Sequence, residues 1–146
     1  MAFEHILFDL DGTLTDSYEG IAKCVQYALH YYGIEENNEE NLKRFIGPPL
    51  WESFHIFYNF PEEKAKEAVL KYRERYHTVG VYENKVIAGV PETLKTLYDN
   101  GKKIYLATSK PLKLAKIVLE HFDLAKYFTF ICLSLIHISE PTRLAL

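Results

Sequence analysis

Apolar residues first gather in His5-Ile-Leu-Phe8, a short run that opens into Asp-Leu-Asp-Gly and predicts a buried strand ending in a loop. From Asp16 the spacing becomes helical. Ile21, Cys24, Val25, Ala28, Leu29 and Tyr32 fall on one face, with Asp16 and Glu19 as an expected capping pair and Gly33 as the stop. A second helix is expected over about Glu39–Ile46, ending at Gly47-Pro48-Pro49, and a third carries Leu50, Phe54, Phe57 and Tyr58. The fourth begins at Pro61 and stacks Ala65, Ala68, Val69, Tyr72 and Tyr76 on one side.

After a polar turn near Glu83-Asn84 the pattern alternates. Pro91–Asn100 reads as a helix, Lys103–Ala107 as a strand, Pro111–Phe122 as a helix and Tyr127–Cys132 as a strand. Strands alternating with helices imply a parallel sheet built from βαβ units. The expected fold class is therefore α/β. Residues 1–15 and 82–132 form one discontinuous core, and the all-helical block 16–81 is inserted after the first strand.

Composition narrows the function classes. The chain has 146 residues, 48% hydrophobic and 25% charged, with seven Gly and six Pro, which excludes a disordered or collagen-like protein. Seventeen Lys and Arg against twenty Asp and Glu give a net charge of −3, so no basic footprint points to nucleic acid or an anionic membrane. Two Cys cannot staple a fold, and no apolar stretch reaches membrane-spanning length. With no signal-like start, the expected location is the cytoplasm.

Most of the chemical information lies in Asp9-Leu10-Asp11-Gly12-Thr13. In open α/β sheets ligands bind beyond the carboxyl ends of the strands, where this segment falls. Carboxylates two residues apart share a side while the chain is extended. One can attack as a nucleophile while the other moves a proton, and a divalent cation can offset their repulsion. Gly12 lets the backbone turn sharply. An ordinary Asp-Gly turn explains the same letters. A calcium loop does not, because Gly20 stands where the bidentate Glu should be.

The longer string Phe8-Asp-Leu-Asp-Gly-Thr-Leu-Thr-Asp-Ser17 resembles the first motif of the haloacid dehalogenase superfamily, in particular its phosphoglycolate phosphatase and 5′-nucleotidase-like branch. The resemblance spans residues 3–132. It implies a Rossmann-like core, incomplete here, with the helical block as a cap domain. It also implies magnesium-dependent hydrolysis of a small phosphorylated metabolite such as phosphoglycolate, with nucleoside monophosphates as the alternative. Asp9 would attack phosphorus, and Asp11 would protonate the leaving oxygen and then activate water. Mg2+ would be held by the Asp9 carboxylate and the Asp11 backbone carbonyl, plus an acid from later in the chain. Dehalogenases of the superfamily lack the second Asp, and sugar-phosphate mutases carry a cap His where this chain has Ile21, so hydrolysis of a phosphate ester is favoured.

Leu106-Ala-Thr-Ser-Lys-Pro111 resembles the second motif, a strand ending in Thr or Ser before a helix. A hydroxyl and backbone N–H groups at a helix start suit a phosphoryl group, although a plain helix cap has the same letters. Thr108 is the foremost expected phosphate contact, joined by Ser109 and Gly12. Ser109 and Lys110 also support the loop, and Lys110 is long enough to reach an anion. Phe45-Ile-Gly-Pro-Pro-Leu50 resembles a substrate-contacting cap loop, with Arg44 and Gly47 as candidate contacts, and it is equally a helix–helix turn. Lys43 is a weaker candidate. The aromatic residues from Trp51 to Phe60 are expected to be bundle core, and the six His show no zinc-ligand spacing.

Leu133–Arg143 resembles one reading frame of a transposon-end adapter used in building DNA sequencing libraries. Residues 133–146 are therefore expected to be a non-native tail, with a natural strand and turn as the alternative. On that expectation the family's third motif, a Lys, and its fourth, an acidic cluster, are both missing. The chain as written should then show little phosphatase activity. A truncated, non-catalytic binder of phosphorylated ligands is the competing function. Oligomeric state is not legible in the sequence.

Overall fold

The computed structural model describes residues 3–132. In chain order the elements are β1 (His5–Phe8), β2 (Thr15–Asp16), α1 (Tyr18–Tyr31), α2 (Glu39–Lys43), α3 (Leu50–Tyr58), α4 (Glu62–Tyr76), β3 (Lys85–Val86), α5 (Val90–Asp99), β4 (Lys103–Ala107), α6 (Leu112–His121) and β5 (Phe128–Cys132). The expected tail, residues 133–146 with His137, lies outside the described residues. The chain divides into two compact units. One draws on the segments up to Asp16 and from Lys85 on, and the other is Ser17–Asn84.

The α/β unit carries a parallel sheet in the order β1–β4–β5. β1 and β4 run in register from His5 opposite Lys103 to Phe8 opposite Leu106. β4 and β5 pair from Ile104 opposite Phe128 to Ala107 opposite Cys132, with an irregularity between Ile104 and Tyr105. Ile104, Leu106 and Ala107 are fully buried, as a strand covered on both faces requires. α6 buries Leu114, Ala115, Val118 and Leu119, one stripe at helical spacing. Each fully buried large aliphatic side chain contributes about 1.5–3 kcal/mol against its exposed state.

In the helical unit α1 packs against α4, and α4 against α3. Ile21, Cys24, Val25, Ala28 and Leu29 are buried on α1; Ala65, Ala68, Val69, Tyr72 and Tyr76 are buried on α4, the five positions that the spacing marks out. Phe45, Phe54 and Phe60 form an aromatic core, with ring centroids 5.0 Å apart for Phe45–Phe54 and 6.1 Å for Phe54–Phe60. Trp51, by contrast, is exposed. Gly33 closes α1 at φ +77°, with Ile34 N–H returning to the Leu29 carbonyl.

Two local expectations need correction. α1 begins after Ser17, so Asp16 does not cap it; Asp16 instead pairs opposite Lys85 in a short antiparallel ladder of β2 with β3. Two-residue strands are too short to show a period, so the sequence did not reveal this ladder. The second helix stops at Lys43, because Phe45 and Ile46 bond back to Leu42 and Lys43 in a tighter turn. Its start is fixed by Asn38, whose side-chain oxygen accepts from the N–H groups of Glu40 and Asn41.

The end of the helical unit is tied back by charge. Glu83 accepts from both Arg75 nitrogens, at 2.6 and 3.3 Å, and from Lys23 at 3.2 Å, while its carbonyl takes the Gly20 N–H. A Cβ on Gly20 would lie 2.9 Å from the Glu83 carbonyl oxygen and closer still to that of Gly80, so only glycine permits this approach. The Arg75 guanidinium, with Lys23 adding to it, holds the Glu83 carboxyl below the ordinary glutamate range. Because the folded-state value is lowered, this stabilisation is present above the unfolded value and is lost as pH falls through the folded one. Glu83→Gln should cost about 1–2 kcal/mol at pH 7, discounted for partial exposure, and the gap from wild type should narrow in acid. Chemical denaturation of both proteins at pH 7 and pH 3 checks this, and a gap that widens in acid contradicts it.

Candidate active site

β1 and β4 are neighbours in parallel register, so the residues that follow them leave the same end of the sheet side by side. Asp9 follows Phe8, and Thr108 follows Ala107. Leu10 is fully buried between an exposed Asp9 and a largely covered Asp11. That alternation keeps the two carboxylates on the side away from the core even though β1 ends at Phe8. Their solvent access differs: Asp9 opens outward, while the Asp11 side chain is only 12% exposed.

The loop after Asp9 is held by backbone bonds that end on two carbonyls. Thr13, Leu14 and Thr15 donate to the Leu10 oxygen, and Gly12 donates to the Thr15 oxygen at 2.8 Å. Gly12 stands at φ +83°, a conformation that disfavours any other residue. Its N–H is committed inside the loop, so at an anion Gly12 would act by leaving space rather than by donating. The Asp11 carbonyl lies outside this set of loop bonds.

Electrostatics separate the two acids. Leu10 N–H donates to Asp9 Oδ1 at 2.8 Å and favours the ionised form. Desolvation of the Asp9 carboxyl outweighs this, and the Asp11 charge adds to it, so the Asp9 pKa stands above the ordinary aspartate value. Asp11 has a different neighbour. Lys110, 7% exposed at its side chain, places Nζ 3.4 Å from Asp11 Oδ2. Asp11 Oδ1 is buried and finds no hydrogen-bond partner among the described residues.

Thr108 is buried, and its Oγ1 accepts the Lys110 backbone N–H at 3.1 Å. With the oxygen accepting from the backbone, the hydroxyl hydrogen is left to donate elsewhere. Ser109 is exposed at the bend, and α6 starts after Pro111. The Lys110–Asp11 pair is the feature that sequence reasoning missed: Lys110 is expected to support the loop and is long enough to reach an anion, but nothing local says that the anion is a carboxylate 99 positions away.

The other candidates belong to the helical unit. The Arg44 guanidinium lies 4.1 Å from the Phe57 ring centroid, an arrangement that holds its plane by cation–π attraction. Gly47 is exposed at φ +103°, with open space where a side chain would be. Lys43 is engaged by Glu39 at 2.8 Å. No three His, Cys, Asp or Glu side chains form a metal-binding group among the described residues. Asp9 and the Asp11 carbonyl are nevertheless hard oxygen donors. They suit magnesium, which commonly takes one or two protein ligands and completes its shell with water and substrate phosphate.

A protein of Pseudomonas aeruginosa named 5′-nucleotidase is 48% identical over 128 residues, covering 88% of this chain and 58% of its own length. A phosphoglycolate phosphatase of Aquifex aeolicus is 32% identical over 127 residues, covering 86% of this chain and 58% of its own. The crystal structure of a protein described as a predicted phosphatase from Clostridium acetobutylicum superposes with a TM-score of 0.87 at 46% identity, covering 90% of this chain and 61% of that one. The chain thus spans less than two thirds of the length of each of these three proteins. No helix among the described residues is long and apolar enough to cross a membrane. The model of the haloacid dehalogenase-like hydrolases matches residues 6–140, which take in both strand-end loops and the helical unit between them. With a parallel α/β core and an Asp-x-Asp loop at the end of its first strand, the chain belongs to the haloacid dehalogenase-like hydrolase family.

Proposed function

We propose that the full-length protein is a magnesium-dependent phosphomonoesterase acting on a small phosphorylated metabolite. One observation carries the reading: two carboxylates of unequal exposure leave β1 beside a buried threonine hydroxyl leaving β4. The exposed Asp9 suits attack. Its carboxylate oxygen bonds to phosphorus as the bond to the leaving oxygen breaks, and Asp11 gives that oxygen a proton. Water then attacks phosphorus, its proton passes to Asp11, and the Asp9–phosphorus bond breaks to release inorganic phosphate. Thr108 donates its hydroxyl hydrogen to a phosphoryl oxygen, with Ser109 and the space at Gly12 completing the phosphate site.

Magnesium, held by the Asp9 carboxylate and the Asp11 carbonyl, would supply charge neutralisation between the nucleophile and the phosphate. Asp9 would gain from it, since partial desolvation of its carboxyl and the Asp11 charge both disfavour its ionised form. The helical unit is proposed as the cap, with Arg44 and Gly47 as substrate contacts. Residues 133–146 remain proposed as a non-native tail. Between the two substrate classes, the higher identity to the protein named 5′-nucleotidase favours a nucleoside monophosphate over phosphoglycolate.

In the full-length protein, Asp9→Asn should abolish magnesium-dependent turnover of an aryl phosphate, and Asp11→Asn should lower it by about 10²–10⁴-fold. Activity persisting in Asp9→Asn would refute the assignment. A panel of nucleoside monophosphates, phosphoglycolate and sugar phosphates then ranks the substrates, and a folded protein that binds them without turnover would favour the non-catalytic alternative. Thr108→Val should lower kcat/KM by about 10–100-fold, the worth of one hydrogen bond to a charged group. Thr108→Ser keeps the hydroxyl and should stay within a few-fold of wild type. Equal losses in both variants would mean that packing rather than donation matters at this position.

A further inference from the structure

We propose that Lys110 is the positioning residue for Asp11, fixing which of its carboxylate oxygens faces the reacting phosphoryl group. This inference rests on the reading of Asp11 as the proton-transfer group. An Asp side chain has no strong staggered preference at its last torsion, so its two oxygens exchange places readily unless one is anchored. Here one is anchored. Lys110 Nζ lies 3.4 Å from Oδ2, with side-chain exposures of 7% for Lys110 and 12% for Asp11. Oδ1 of the same carboxylate is buried with no hydrogen-bond partner among the described residues. One oxygen is engaged by the ammonium, and the other, though closed to solvent, carries no protein partner among the described residues.

The lysine is itself placed by the second strand-end loop. Its backbone N–H is bonded to Thr108 Oγ1, and α6 follows directly. Lysine is seldom this deeply buried, and burying an ammonium is costly unless a counter-charge is at hand. A surface loop needing only a cap before Pro111 has no use for that cost. The same three-residue turn therefore sets the Thr108 hydroxyl and the Asp11 carboxylate together, coupling phosphate binding to proton transfer without Lys110 touching substrate.

The test separates this role from a simple electrostatic staple between two loops. In the full-length protein the aspartyl-phosphate is formed from an aryl phosphate with magnesium, acid-quenched over time, and its decay rate measured. Thermal stability is measured in parallel. Asp11→Asn should slow decay by about 10²–10⁴-fold. Lys110→Met should slow it by about 10²-fold, the usual penalty for a misplaced catalytic group, and Lys110→Arg should recover part of the rate. Because Lys110 acts through Asp11, the double variant should decay no more slowly than Asp11→Asn alone.

Slow decay in Asp11→Asn with wild-type decay in Lys110→Met overturns the proposal while leaving the function of the site intact. Multiplying effects in the double variant also overturn it, since Lys110 would then act on its own. Normal decay in Asp11→Asn overturns both readings together. Should Lys110→Met fail to fold, Lys110→Ala, which cannot donate to Asp11 and adds no bulk at the site, replaces it. Slowing of at least tenfold supports the proposal, and wild-type decay refutes it.

Discussion

The parallel, in-register pairing of β1 with β4 is the constraint on which the site depends. It makes two loops nearly a hundred residues apart in sequence begin at the same edge of the sheet. One loop delivers two carboxylates; the other delivers a hydroxyl and an ammonium. The buried Ile104, Leu106 and Ala107 of β4 fix this pairing through the core, so the chemistry is supported by packing that never touches it.

Charge placement follows from that geometry. Two carboxylates two residues apart repel one another when both are charged. Lys110 offsets Asp11 from one side, and Asp9 is left exposed and with its pKa raised. The two side chains differ in exposure and in their charged neighbours, and the proposed reading assigns them different tasks, attack to Asp9 and proton transfer to Asp11. The proposed magnesium would sit at Asp9, beside which no ion pair forms among the described residues.

Much of this was legible in the chain. β1 and β4 lie where the apolar runs end, and the buried face of α4 consists of the five residues that the spacing selects. Such elements announce themselves because burial on one face imposes a period. The ladder of β2 with β3 carried no such signal, and the capping role expected for Asp16 gave way to pairing with Lys85. The positions of Asp9, Asp11 and Thr108 could be read from motifs at strand ends. The Lys110–Asp11 pair could not, because side-chain pairing across two strands leaves no local pattern.

The proposed chemistry turns on a covalent bond between Asp9 and phosphorus. The direct measurement is to quench the full-length protein during turnover, reduce the acyl phosphate with borohydride, and locate the modified residue by mass spectrometry. The reading requires Asp9 to be recovered as homoserine, with none found in Asp9→Asn. Turnover without a trapped intermediate, or reduction at another carboxylate, would contradict it.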